Sequence, residues 1–147
     1  MSTPHATFAV ERRLAAPRAR AFAAWQGASL ANWYVHDGQA SECINEFRVG
    51  GLQRIVFGPQ GGPVFRGEAR YEDIAPDERI VTAGSMYRDA VCCSSTLCTI
   101  EFFDAGEGSR IVLTDQTAYY VGDYSQSRRE GWEKILGWLD AYLQGAA

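Results

Sequence analysis

The residue with the most evident chemical potential in this sequence is Asp115. Along residues 109–118 the alternating set Ile111, Leu113, Asp115 and Thr117 is more apolar than the opposing set Arg110, Val112, Thr114 and Gln116. A strand there turns the first set inward and takes the carboxylate with it. An inward carboxylate has two uses. It can pair with an arginine or a strand-end backbone amide. Left unpaired, it is costly to ionise and can bind a ligand hydroxyl or act as a general acid or base. His36 offers a second proton-transfer group, on a loop beside a short helix, where a lone histidine equally suits a solvated surface. Tyr119 and Tyr120 follow the strand and can lend a phenol to a pocket mouth or pack at the surface. Ser94, Ser95 and the thiols sit in no nucleophile elbow and beside no Cys–His pair. The glycines at 50–51 and 58–62 read as hairpin turns, since neither group opens a helix after a strand as a phosphate loop does.

Metal and cofactor chemistry are not expected. Cys92 and Cys93 are adjacent, Cys98 lies five residues beyond, Cys43 stands apart, and only His5 and His36 could assist, a spacing foreign to zinc sites. The same four cysteines are too few and too uneven for a disulfide framework and read as strand thiols. At 147 residues, 46% hydrophobic and net charge -4, the chain has the composition of one globular domain over 1–147 rather than of a disordered segment. Its acidic balance excludes a nucleic-acid footprint. Thirteen of its fourteen basic residues are Arg and only Lys134 is Lys, but they are scattered, as codon bias would leave them. No run approaches the roughly 18–20 apolar residues of a membrane span. The opening MSTPHATFAVERR lacks the order of a secretory signal, so the expectation is cytoplasmic.

These residues need elements to hold them. Residues 7–15 read as a first strand. Pro17 then opens a helix carrying Phe22 and Trp25 on one face, Gly27 ends it, and Ser29 is placed to cap a second short helix over 30–34. From about 41 to 118 the pattern is strand after strand: 41–48, 52–57, 64–74, 79–87, 92–103 and 109–118, joined by short turns at Val49-Gly50-Gly51, Gly58–Pro63, Ala75–Glu78 and Asp104–Gly108. Such spacing gives an antiparallel meander. Residues 123–143 are helical in period, with Trp132, Ile135, Leu136, Leu139 and Leu143 on one stripe, Trp138 and Tyr142 on its shoulder, and Asp123 or Ser125 as the cap. A single curved sheet must cover one face, and this helix is the only large apolar element available. The fold class is therefore α+β: a curved antiparallel sheet of about six or seven strands wrapped around a long C-terminal helix, with two short helices closing one end.

The order, and several of its residues, resemble the START-like (SRPBCC, helix-grip) superfamily and, within it, homologues of the chaperone ATPase activator, often called polyketide-cyclase-like. The resemblance rests on Leu14-Ala15-Ala16-Pro17 and the helix to Trp25, Leu30-Ala31-Asn32-Trp33-Tyr34, Phe47-Arg48-Val49-Gly50-Gly51, Ile74-Ala75-Pro76-Asp77-Glu78-Arg79-Ile80-Val81, and Glu130-Gly131-Trp132. It covers nearly the whole chain. Tyr34 stands where relatives commonly carry a second Trp, and Val35-His36 where they carry Gly-Pro.

The resemblance implies a cavity between the concave sheet face and the C-terminal helix. Alternation then selects a lining: Phe65, Gly67, Ala69 and Tyr71; Thr82, Gly84 and Met86; Thr96, Cys98, Ile100 and Phe102; Leu113 and Asp115; with Trp33, Trp132 and Ile135 closing it or filling it as core. Gly67, Ala69 and Gly84 are small enough to leave volume. The leading expectation is a binding protein for a small hydrophobic, aromatic or lipid-like molecule. The alternatives are a cyclase- or hydrolase-like enzyme using Asp115, His36 or a tyrosine, and a partner of a heat-shock ATPase. The last ranks lowest, because the full-length activators carry an N-terminal domain without counterpart in this sequence. Exposed strand edges allow a homodimer.

Overall fold

The computed structural model describes residues 2–34 and 40–145. The chain runs β1 (His5–Leu14), α1 (Arg18–Ala23), a 3-10 helix (Gly27–Asn32), β2 (Ala40–Asn45), β3 (Leu52–Phe57), β4 (Phe65–Ala75), β5 (Arg79–Arg88), β6 (Val91–Ala105), β7 (Gly108–Tyr119) and α2 (Ser125–Gly145). All seven strands form one antiparallel sheet in the order β1-β7-β6-β5-β4-β3-β2. From β2 to β7 the order follows the chain, as short hairpin turns require. The long excursion through α1 and the 3-10 helix lets β1 reach the far side of β7. The expected helix-grip architecture is the one observed.

Burial follows the pleat. In β7, Ser109, Ile111, Leu113, Asp115, Thr117 and Tyr119 are buried and their neighbours are not. In β6, Cys98, Ile100 and Phe102 are buried while Leu97 and Phe103 face out. The C-terminal half of α2 lies on this face with Leu136, Leu139 and Leu143 buried. Beside it Phe22 meets Phe102 edge-on at 5.6 Å, and Trp25 meets Trp33 at 4.8 Å. Each fully buried side chain of this size contributes about 1.5–3 kcal/mol, so this half of the sheet carries the core.

Two elements differ from expectation. The second short helix is a 3-10 turn over Gly27–Asn32, without a side-chain cap from Ser29, whose N–H instead donates to Gln26 O at 3.0 Å. Strand β2 stops at Asn45 because the backbone turns at once: Arg48 N donates to Glu46 O and Gly51 N to Arg48 O, each at 2.8 Å. Gly50 has φ +85, and a Cβ on Gly51 would stand 2.0 Å from Glu46 O. The glycine pair is thus needed for both left-handed backbone and close approach.

Gly84 has a comparable role, which revises the reason for its smallness. A Cβ there would lie 2.1 Å from Glu68 O and 2.6 Å from Ala69 Cα on β4. Its hydrogen atom permits the two strands to close up, and the register slips by one residue between Tyr71 and Asp73 further along the same pair. Gly84→Ala should therefore destabilise the protein by about 1–3 kcal/mol, the range for forcing a methyl group into a packed site. Urea unfolding checks this, and an unchanged midpoint would show that β4 yields freely. At Gly67 a Cβ would meet only Met86 Cε at 3.6 Å, an ordinary contact.

Candidate functional site

Strand β7 (Gly108–Tyr119) pairs with β6 and β1 without a slip, so its alternation delivers Asp115 to the concave face, fully buried. Three donors converge on the carboxylate. Thr117 Oγ1 donates to Oδ1 at 2.5 Å, while Arg128 Nε at 2.7 Å and Trp132 Nε1 at 2.9 Å donate to Oδ2. Arg128 and Trp132 are one helical turn apart on α2, so one face of the helix presents both to a single carboxylate. Thr117 also shares a hydrogen bond with Thr96 at 2.7 Å, and Ser94 with Tyr124 at 2.6 Å. Of the two uses open to Asp115, the structure realises the pair: the carboxylate accepts from three donors and ties the N-terminal half of α2 to the sheet.

Charge and burial act together here. Burial opposes the Arg128 charge, but the Asp115 carboxylate outweighs it and holds the guanidinium more firmly protonated than usual. The Cys98 thiol is pushed up to about 12, by burial first and then by the neighbouring Asp115 charge. Burial also raises the phenols of Tyr34 and Tyr71, with Cys98 adding to the first and a hydrogen bond from Gln53 opposing the second. These three acids keep protons that the unfolded chain gives up. Their stabilising contribution is complete below the unfolded thiol value of about 8.5 and is lost as the pH climbs through the folded values. The melting temperature should accordingly fall between about pH 8.5 and 11, and Cys98→Ala should make the first part of that decline shallower without removing it, since burial raises the Cys43 thiol as well. A flat profile over that range would show the three groups to be as accessible as in the unfolded chain.

Next to this cluster the helix stands away from the sheet and leaves two adjoining cavities. The inner one, about 90 Å³, is floored by Ala69, Thr82, Gly84, Thr96 and Cys98. The outer one, about 560 Å³, is walled by Phe57, Phe65 and Met86 on the sheet side and by Trp132, Ile135 and Trp138 on the helix side. Tyr34, Phe57, Met86, Arg128 and Trp132 border both, so they form one tapering space. Gly131 lies on the outer wall.

The residues expected on the lining divide accordingly. Ala69, Thr82, Gly84, Met86, Cys98 and Trp132 border the inner cavity, and Phe65, Met86, Trp132 and Ile135 the outer. Six expected residues lie elsewhere, among them Phe102, which is core against Phe22 and Trp25. Ile100 and Leu113 are core, because the part of the concave face they occupy is filled. Trp33 is packed edge-on against Trp25 with its Nε1 donating to Ala24 O at 2.9 Å. Tyr71 is buried with its hydroxyl donating to Asn45 Oδ1 and accepting from Gln53 Nε2, which ties β4 to the end of β2. Asp115, also expected there, sits behind Arg128 and Trp132 and is absent from the walls. His36 lies outside the described residues. Tyr119 is buried against Tyr124 and Tyr120 is half exposed.

Sequence reasoning missed Arg128 itself, together with Gln53, Ile55 and Phe57 on β3, Tyr34, and the rim residues Arg88, Tyr124 and Lys134. The β3 residues had a signal in their two-residue spacing. Arg128 had only helical phase, since Trp132 lies one turn later on the same face. Among the described residues no group of three or more His, Cys, Asp or Glu is placed to hold a metal ion, and no helix is long and apolar enough to cross a membrane.

Comparisons with known proteins fit this geometry. The family described as "Activator of Hsp90 ATPase homolog 1-like protein" matches residues 15–144. The solved structure of protein Mll3558 from Rhizobium loti is 36% identical, with a TM-score of 0.88 over 96% of this chain and 99% of that one. A protein from Rhizobium leguminosarum is 32% identical, with a TM-score of 0.91 over 97% of each chain. DynU16, from a dynemicin biosynthetic locus, shares the fold at 19% identity and a TM-score of 0.69, over 94% of this chain and 47% of its own. No curated protein matches.

Proposed function

Since this chain belongs to the family of Activator of Hsp90 ATPase homolog 1-like proteins, in the START-like superfamily, we propose that it takes up a small hydrophobic molecule, aromatic or lipid-like, in the space beneath α2. The observation that carries this reading is the outer cavity. Its volume of about 560 Å³ falls in the range of about 300–1,000 Å³ typical of small-molecule sites. Its walls combine aromatic and aliphatic side chains with few polar groups, the composition that gives affinity through burial and orientation through a small number of hydrogen bonds. An apolar molecule of moderate size would gain roughly 25 cal/mol for each Å² of apolar surface it withdraws from water there.

Binding is favoured over acid–base catalysis for a reason internal to the cluster. A general acid or base must reach the proton it transfers. The Asp115 carboxylate is fully buried behind Arg128 and Trp132, accepts from both and from Thr117, and does not border the cavity, and Ser94 is engaged with Tyr124. An organising role toward the cavity therefore suits Asp115 better than a reactive one.

The test is native mass spectrometry of the purified protein, followed by denaturation and identification of any released compound. A stoichiometric small-molecule adduct is the expected result. A clean apo mass, joined to failure of a panel of aromatic and acyl compounds to shift the melting temperature or quench the Trp132 and Trp138 emission, would overturn the reading. Turnover of a bound compound would instead establish an enzyme.

A further inference from the structure

We infer that the molecule this cavity accepts is a hydrophobic carboxylate, with its acid group received by Arg128 and its apolar body lying between α2 and β3–β5; the inference rests on the cavity being a working binding site. It comes from the distribution of charge. The protein as a whole is acidic, at net -4, yet the outer cavity is bordered by Arg88, Arg128 and Lys134 and, among the described residues, by no Asp or Glu. The inner cavity includes Glu68, but that carboxylate is engaged by Arg54 at 2.8 Å and Arg66 at 2.9 Å. Arg88 and Lys134 have no ion-pair partner among the described residues. Lys134 instead lies 5.4 Å from the centre of the Trp138 ring.

Arg128 is the group suited to fix an acid. Its side chain is 14% exposed, and Asp115 engages it through Nε alone. The terminal Nη groups make no hydrogen bond to the described residues and are not among the buried unpaired atoms, so they border the open space. A guanidinium held by Nε and open at its two terminal nitrogens presents a fork that fits a carboxylate. The Asp115 charge does not repel an incoming anion strongly, since it is shared among three donors behind Arg128. It cancels most of the guanidinium charge, which leaves the rim cations Arg88 and Lys134 to supply the attraction that draws an anion in. The apolar remainder then meets Trp132, Ile135, Phe57 and Met86.

A matched pair of probes tests this: isothermal titration of the full chain with 2-naphthoate and with 2-naphthamide, which share one ring body. The expected result is tighter binding of naphthoate by about tenfold or more, the worth of a charge-assisted hydrogen bond. Raising the ionic strength should narrow the difference. Arg88→Gln and Lys134→Gln, at exposed positions where folding is not at stake, should each weaken naphthoate and leave naphthamide unchanged. Equal affinity for the two probes would overturn the carboxylate assignment while the cavity reading stands. Binding of neither would remove both. A naphthoate preference untouched in the rim variants and in Arg128→Lys would show that these cations do not read the acid, and would overturn the assignment as well.

Discussion

Arg128→Met lowers the unfolding free energy by about 3–5 kcal/mol, the cost of breaking a buried ion pair from one side. The substitution retains an aliphatic stem of similar length but leaves the Asp115 carboxylate, fully buried on β7, with only Thr117 and Trp132 as donors. Neither carries charge, so the carboxylate must take up a proton, draw water in from the adjacent cavity, or pull the helix away. Replacing both members, as Asp115→Leu with Arg128→Met, should recover most of the loss, because the uncompensated charge is then gone. Urea denaturation of the two single variants and the double variant forms the cycle. A single-variant cost below about 1 kcal/mol would mean that cavity water solvates Asp115 as well as the guanidinium does.

Gly131→Trp separates stability from binding. A Cβ at Gly131 meets nothing within 4 Å, and the residue lies on the outer cavity wall within α2. Glycine in a helix interior is about 1 kcal/mol worse than alanine, so Gly131→Ala should stabilise the protein by about 0.4–1 kcal/mol. An indole at the same position has room to grow without a backbone clash, and it fills the mouth of the cavity. Affinity for 2-naphthoate or 2-naphthamide should fall at least about tenfold, the equivalent of one apolar group's worth of lost burial. Calorimetric titration and thermal melting of the same samples read both effects. Unchanged affinity would place the bound molecule elsewhere in the structure.

Which parts of this arrangement were legible in the sequence depends on how regular the local backbone is. β7 pairs with both neighbours without a slip, so counting by twos from Ile111 placed Asp115 correctly. The same counting on β4 put Tyr71 inward, which it is, but gave no account of its hydroxyl, whose partners Asn45 and Gln53 lie on other strands. The expected strand residues that lie outside the cavity share one cause, while eight other strand residues border it. Ile100 and Leu113 have the right parity, yet parity gives the face of a sheet and not the position along it. How far down the face the helix and α1 reach is decided by tertiary packing. Arg128 escaped notice because it sits before the apolar stripe that identifies α2, where one arginine among several polar residues carries no mark of its own. The glycine pair at 50–51 was read as a turn and is one, whereas Gly84, which does border the inner cavity, also lets two strands close up, a role that counting by twos does not reveal.

The two halves of α2 are fastened differently, and this has a consequence for how the protein opens. Its C-terminal half is held by buried leucines, by the Arg12–Asp140 pair at 3.0 Å and by Arg20 donating to Leu143 O at 2.6 Å. Its N-terminal half spans the cavity and is held chiefly by polar ties, from Tyr124 to Ser94, from Arg128 and Trp132 to Asp115, and from Arg129 to Ala9 O. A few directional bonds around a void can be released together at far less cost than a packed core. The amide hydrogens of residues 125–134 should exchange with solvent sooner than those of 136–145, and occupation of the cavity should slow the first group selectively. The gate to that space would then be one half of a helix, pinned at the carboxylate of Asp115.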